Sequence, residues 1–87
     1  MEIVYTSQSF KDYEKLAQYP ALVEKVKALI SLIELNPYTT PPSYEKLLGF
    51  KNKEVYSRRI NNQHRLVYEV RKDENVVVVI RMWTHYE

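Results

Sequence analysis

The chain has 87 residues, 45% of them hydrophobic, a formal net charge of +2 and no cysteine. That length fits a single domain, residues 1–87, with one modest core, and the missing thiols exclude a disulfide framework, a thiolate nucleophile and a cysteine zinc site. The longest apolar run, Val76 to Ile80, is strand-sized and far short of the roughly 20 residues of a membrane helix; Met1-Glu2-Ile3-Val4-Tyr5 lacks the basic-then-apolar layout of a signal peptide, so a cytoplasmic protein with no membrane contact is expected.

Ile3-Val4-Tyr5 is a short β-prone run, and Thr6, Ser7 or Ser9 can cap the helix after it. Phe10, Tyr13, Leu16 and Ala17 recur at helical spacing, predicting a helix to about Tyr19. Pro20 suits the first turn of a second helix, where its missing N–H costs nothing. Leu22, Val23, Val26, Leu29, Ile30 and Ile33 form one apolar stripe, with Glu24, Lys25, Lys27 and Glu34 off it. Asn36-Pro37 ends this helix, because the residue before proline resists helical torsions. The two helices are expected to pair and cover one sheet face.

Residues 36–44 hold three of the four prolines. Such a loop is restricted rather than floppy, fit to deliver Tyr44-Glu45-Lys46-Leu47-Leu48-Gly49 to a fixed place. Gly49 is the only glycine and marks a turn; Lys51 to Glu54 continues as exposed loop. Val55–Ile60 and His64–Arg71 read as strands around the turn-forming Asn61-Asn62 pair, a hairpin. Asp73-Glu74-Asn75 makes another turn, and Val76–Tyr86 reads as the last strand, with the valines implying a position inside the sheet. The fold class is α+β: two N-terminal helices on a sheet of about four to five strands.

Strand side chains alternate in direction. Leu66, Tyr68 and Val70 form one set, expected to meet the helices together with Val78, Ile80 and Met82. The opposite face then gathers Arg65, Arg81, Trp83 and His85. Arg58, bracketed by Tyr56 and Ile60, points to the helix side. Arg59 joins Arg65 if the hairpin turn holds an odd number of residues, whereas a strict two-residue turn pairs Arg58 with Arg65; the odd turn is preferred.

The helix-free face is therefore basic and aromatic, and a guanidinium fork matches phosphate oxygens. Cleavage of RNA by its own 2′-hydroxyl needs a base for the hydroxyl proton, an acid for the leaving 5′-oxygen and a cation on the phosphoryl oxygens. Glu45 can be the base, Arg65 the cation and His85 the acid, with neither metal nor cofactor required. The bland alternatives stand beside these roles: Glu45 as solvated loop surface, Arg65 as an ion-pair partner of Glu69, His85 as a frayed end, His64 as a brace for the hairpin and Trp83 as packing.

Ser57-Arg58-Arg59-Ile60, then His64-Arg65-Leu66-Val67-Tyr68, then His85-Tyr86 near the chain end, resemble the YoeB/Txe toxins of the RelE-like superfamily, and Glu45 lies where those toxins carry their glutamate. The resemblance spans essentially the whole chain. It implies a type II toxin–antitoxin system with a microbial-ribonuclease-like fold, the two helices packed on a twisted antiparallel sheet. The implied activity is a metal-independent messenger-RNA endoribonuclease that acts in the ribosomal A site, leaves a 2′,3′-cyclic phosphate and blocks translation. It implies Glu45 as general base, Arg65 as phosphate stabiliser and His85 as general acid, with Arg59, Lys46 and Tyr86 holding RNA. The implied partners are a YefM-like antitoxin, the 70S ribosome with its messenger RNA, operator DNA only as the toxin–antitoxin complex, and a second copy of the chain. Many relatives read Glu-Pro-Leu-Lys where this chain has Glu45-Lys46-Leu47-Leu48, so Lys46 is the candidate to replace the usual lysine. A non-catalytic RNA- or ribosome-binding module, and a protein-interaction module with a basic face for an acidic peptide, are the competing readings.

Overall fold

The computed structural model describes residues 1–83. The β-branched start forms strand β1 (Glu2–Tyr5), and Thr6 then caps helix α1 (Ser7–Leu16). The Thr6 hydroxyl accepts from the Ser9 amide at 3.1 Å and donates to the Ile80 carbonyl at 3.0 Å, so one side chain both starts the helix and fixes it to the sheet. That anchor sets the helix's rotation. Ser9, Asp12 and Leu16 turn inward, while Phe10 of the expected stripe is 57% exposed. The helix also stops three residues before Tyr19. Helix α2 (Pro20–Leu35) begins on its proline and ends before Asn36-Pro37 as expected, with Val26, Leu29 and Ile33 buried.

The remaining strands are β2 (Glu45–Lys46), β3 (Glu54–Arg59), β4 (Arg65–Arg71) and β5 (Val76–Arg81), in the sheet order β1-β5-β4-β3-β2. β2 to β5 pair antiparallel, and β1 adds a parallel edge strand beside β5. A short 3₁₀ turn, Lys72–Glu74, and Asn75 in the left-handed region at φ 56° link β4 to β5. One core lies between the helices and one sheet face: Leu16, Val26, Leu29 and Ile33 against Tyr56, Ile60, Leu66, Tyr68, Val70, Val77, Val79 and Met82.

The phase of β5 differs from the sequence expectation. Val77 and Val79 face the helices, not Val78 and Ile80. Tyr68 lies opposite Val79 while Val67, one residue earlier, lies opposite Arg81. The extra residue on β5, Ile80, is a bulge, and it flips the alternation so that Met82 returns to the core. A run of four valines is apolar in either phase, so hydrophobicity alone could not choose. β5 ends at Arg81, with Met82 and Trp83 outside the ladder; the rest of the expected extension to Tyr86 lies outside the described residues.

Arg81, opposite Val67 on β4, is tied to a carboxylate of helix α1. Its Nε donates to Asp12 Oδ2 at 2.8 Å, and the same oxygen accepts from the Met82 amide at 3.0 Å. Burial works to raise the Asp12 carboxyl, but the Arg81 and Met82 hydrogen bonds and one from Gln8 together hold it below the ordinary carboxylate range. A folded-state pKa below the unfolded one stabilises the fold above the unfolded pKa and ceases to as pH falls through the folded one. Asp12→Asn is therefore expected to destabilise the protein by about 1–3 kcal/mol at neutral pH. In urea titrations the difference from wild type should shrink as pH drops below about 4; a pH-independent difference contradicts the pair's contribution.

Candidate functional site

The hairpin turn decides what faces what. Arg59 lies opposite Arg65, which leaves residues 60–64 as the turn, an odd number. The Asn61 side-chain oxygen accepts from the Gln63 amide at 2.9 Å and the His64 amide at 2.6 Å, an Asx-type turn that holds this length. Ser57, Arg59, Arg65 and Val67 then share the face away from the helices, and Arg58 points to the helix side, where it is fully buried. β2 pairs with β3 so that Glu45 sits opposite Ser57. The loop carboxylate thus reaches the face that carries the two arginines.

These side chains bound a cleft of about 440 Å³, lined by Glu45, Ser57, Arg59, Asn61 and Arg65, with Lys25 of α2 at its rim. Glu45 Oε1 is 3.7 Å from an Arg65 guanidinium nitrogen; Arg65 is 17% exposed and Glu45 70%. A pair that open contributes only about 0.2–1 kcal/mol, and two like charges directly opposite on neighbouring strands oppose it. Lys25, Arg59 and Arg65 against one carboxylate leave the cleft cationic. The arrangement is a poor stabiliser and a good receptor for an anion, because a phosphate entering it relieves the repulsion and accepts charge-assisted hydrogen bonds.

Other expected residues lie elsewhere. Lys46 sits opposite Tyr56, so its side chain leaves β2 on the far face from Glu45, beside Glu54. There, hydrogen bonds from Tyr56 and, against burial, Tyr38, with Lys72 and Lys46 nearby, hold the Glu54 carboxyl below its ordinary value. Burial and the same contact push the Tyr38 phenol up to about 12. Glu69 pairs with Arg71 at 3.3 Å rather than with Arg65. His64 stacks on Trp83 with ring centres 4.1 Å apart, and Tyr19 stacks on Trp83 at 6.1 Å; both His64 and Trp83 brace the hairpin end, as the packing alternatives held. His85 and Tyr86 lie outside the described residues. No cluster of three or more potential metal ligands occurs among the described residues, and none of their helices is long and apolar enough to cross a membrane.

Three cleft residues escaped the sequence reading. Ser57 was legible, since alternation from Arg59 puts it on the cleft face. Its hydroxyl is buried and has no hydrogen-bond partner among the described residues. Asn61 was seen only as a turn residue, and Lys25 comes from a helix whose approach to the hairpin nothing in the sequence announces.

A family model described as YoeB-like toxin of bacterial type II toxin-antitoxin system matches residues 5–86. The Toxin YoeB of Streptomyces coelicolor is 36% identical over 87 residues, covering 99% of this chain and 100% of that protein. Among solved structures, a YoeB/ParE toxin from Agrobacterium tumefaciens superposes with a TM-score of 0.86 at 33% identity, over 99% of this chain and 100% of that one. The Staphylococcus aureus YoeB dimer gives a TM-score of 0.83 and the YoeB-YefM complex from the same organism 0.80, both at 33% identity over 99% of this chain and 98% of theirs.

The cationic cleft yields a prediction that is independent of any catalysis. Arg59→Gln removes one of the two facing guanidinium groups, so the thermal midpoint should stay level or rise while affinity for single-stranded RNA falls. In anisotropy titrations from about 50 to 200 mM salt, the log–log slope should become shallower by about 0.7, one phosphate contact. An unchanged slope contradicts an Arg59–phosphate contact.

Proposed function

The chain belongs to the YoeB-like toxin family of bacterial type II toxin–antitoxin systems, and from that membership we propose that it is a ribosome-dependent endoribonuclease that cuts messenger RNA in the A site and so inhibits translation. The observation that carries the proposal is the Glu45 carboxylate held 3.7 Å from Arg65 on a cationic face. A base and a phosphate-binding cation at that separation can bracket one nucleotide's 2′-hydroxyl and its neighbouring phosphate.

Glu45 takes the 2′-hydroxyl proton. The 2′-oxygen attacks phosphorus, and the bond to the 5′-oxygen breaks. His85 gives its proton to that leaving oxygen, which yields a 2′,3′-cyclic phosphate and a 5′-hydroxyl. Histidine suits this step because its unperturbed pKa of about 6.5 lies near working pH. Arg65 carries the charge that builds on the phosphoryl oxygens; Arg59 and Tyr86 hold the flanking RNA, and the route uses no metal. Lys46, on the far sheet face, serves RNA outside the cleft.

The same basic face suits an acidic peptide, and the S. aureus relative is known in complex with YefM and as a dimer. A YefM-like antitoxin that covers the Arg59–Arg65 face neutralises the toxin; operator DNA is bound by that complex, chiefly through the antitoxin. The free toxin acts in the cytoplasm, as a monomer or a homodimer.

Expression without antitoxin should arrest growth and create new messenger-RNA 5′ ends in ribosome-covered codons. Glu45→Ala and His85→Ala should each lower cleavage by roughly 10²-fold or more. Arrest by wild type and both variants alike, with no new ends, would leave a non-catalytic ribosome binder instead.

A further inference from the structure

Arg58 is fully buried, and its partners are carbonyls, a hydroxyl and a ring rather than a carboxylate. Nη1 donates to the Pro42 carbonyl at 2.7 Å, Nη2 to the Pro37 carbonyl at 2.9 Å and Nε to the Tyr68 hydroxyl at 3.0 Å. The Tyr68 hydroxyl itself donates to the Pro37 carbonyl at 2.9 Å, and the guanidinium carbon lies 5.0 Å from the centre of the Tyr44 ring. A buried cation is costly, and an aliphatic side chain would fill the same space. What an aliphatic chain lacks is a fork that spans both ends of one loop.

That loop needs an external tie. Pro37, Pro41 and Pro42 have no N–H to give to a ladder, so carbonyls are their backbone handles, and β2 after them is only two residues long. Glu45 is its first residue. The neighbours of Arg58 on β3, Ser57 and Arg59, point into the cleft. One strand therefore carries a cleft cation, Arg59, on one face and, on the other, the clamp on the segment that presents the carboxylate.

We propose that Arg58 is a positioning residue for Glu45: through Pro37, Pro42 and Tyr44 it holds the loop that sets the carboxylate against Arg65. The proposal rests on the nuclease reading for its kinetic arm only. Arg58→Lys keeps the charge and loses the fork. With ribosome-bound messenger RNA, kcat should fall roughly 10- to 100-fold with KM little moved. In a Glu45→Gln background the same change should cost nothing further, whereas a general loss of folded protein lowers the residual rate there too. Amide hydrogen exchange should quicken at Glu45, Lys46 and Leu47 while Val70 and Val77 stay protected.

Full kcat, an equal further loss in the Glu45→Gln background, or unchanged exchange at Glu45–Leu47 each overturns the proposal. If Arg58→Lys does not fold, Tyr68→Phe, which removes the hydroxyl shared by Arg58 and Pro37, is expected to shift both readouts in the same direction, and its failure to do so overturns the proposal equally. If wild type does not cleave, the nuclease reading falls and the exchange arm alone decides the role of Arg58.

Discussion

The register of the β3–β4 hairpin is the constraint on which the rest depends. Because Arg59 lies opposite Arg65, two consecutive arginines meet opposite fates. Arg58 enters the core side and Arg59 the open side. A shift of one residue would reverse them, burying the cation that faces the cleft and exposing the one that holds the proline-rich loop. The five-residue turn and its Asn61 hydrogen bonds therefore do more than close a hairpin. They assign one guanidinium to structure and two to the cleft.

Charge on this scaffold divides the same way elsewhere. Asp12 and Arg81 form a pair in which the carboxylate is fully buried and hydrogen-bonded to a backbone amide as well. Such a pair holds because each buried carboxylate oxygen has a donor, Gln8 on one and Arg81 with the Met82 amide on the other. The Glu45–Arg65 pair is longer, open and beside a second arginine. Its geometry leaves donors and acceptors unspent. Stability and anion recognition thus use the same side-chain chemistry at different depths, and depth follows from strand alternation.

Much of this was legible from the residues. The α2 stripe, its proline start and Asn36-Pro37 stop, the hairpin, the odd turn and the inward Arg58 all follow from local rules that the structure obeys. The failures share a cause. The apolar residues of α1 predict an inward Phe10, yet with Thr6 bonded to Ile80 it is Ser9 and Asp12 that turn inward and Phe10 that stays outside. Strict alternation predicts one phase for all of β5, yet a bulge at Ile80 changes it. Both are tertiary decisions, one made by a helix cap bonded to a strand far along the chain and the other in the pairing of β5 with β4, and neither leaves a trace in a local window. Lys46 shows the converse. The alternation rule already separated it from Glu45, and only the family comparison had placed the two on one task.

The candidate base is delivered from outside the long strands, and so is the chain leading to the candidate acid. β2 is two residues at the sheet edge, and the loop before it is tied to Arg58 through the Pro37 and Pro42 carbonyls. At the other flank, the chain leaves β5 at Arg81, where Asp12 holds the Met82 amide and Trp83 lies between Tyr19 and His64. The arginines of the cleft, by contrast, stand on β3 and at the start of β4. The hairpin thus supplies the cations of the cleft, while Glu45 comes to it from a flanking segment. Each flanking segment is held by a buried charged residue, Arg58 or Asp12, that itself has no place in the cleft. Separating the cleft from these buried anchors in this way suits a small core with one sheet, since the like-charged cleft need not also hold the chain together.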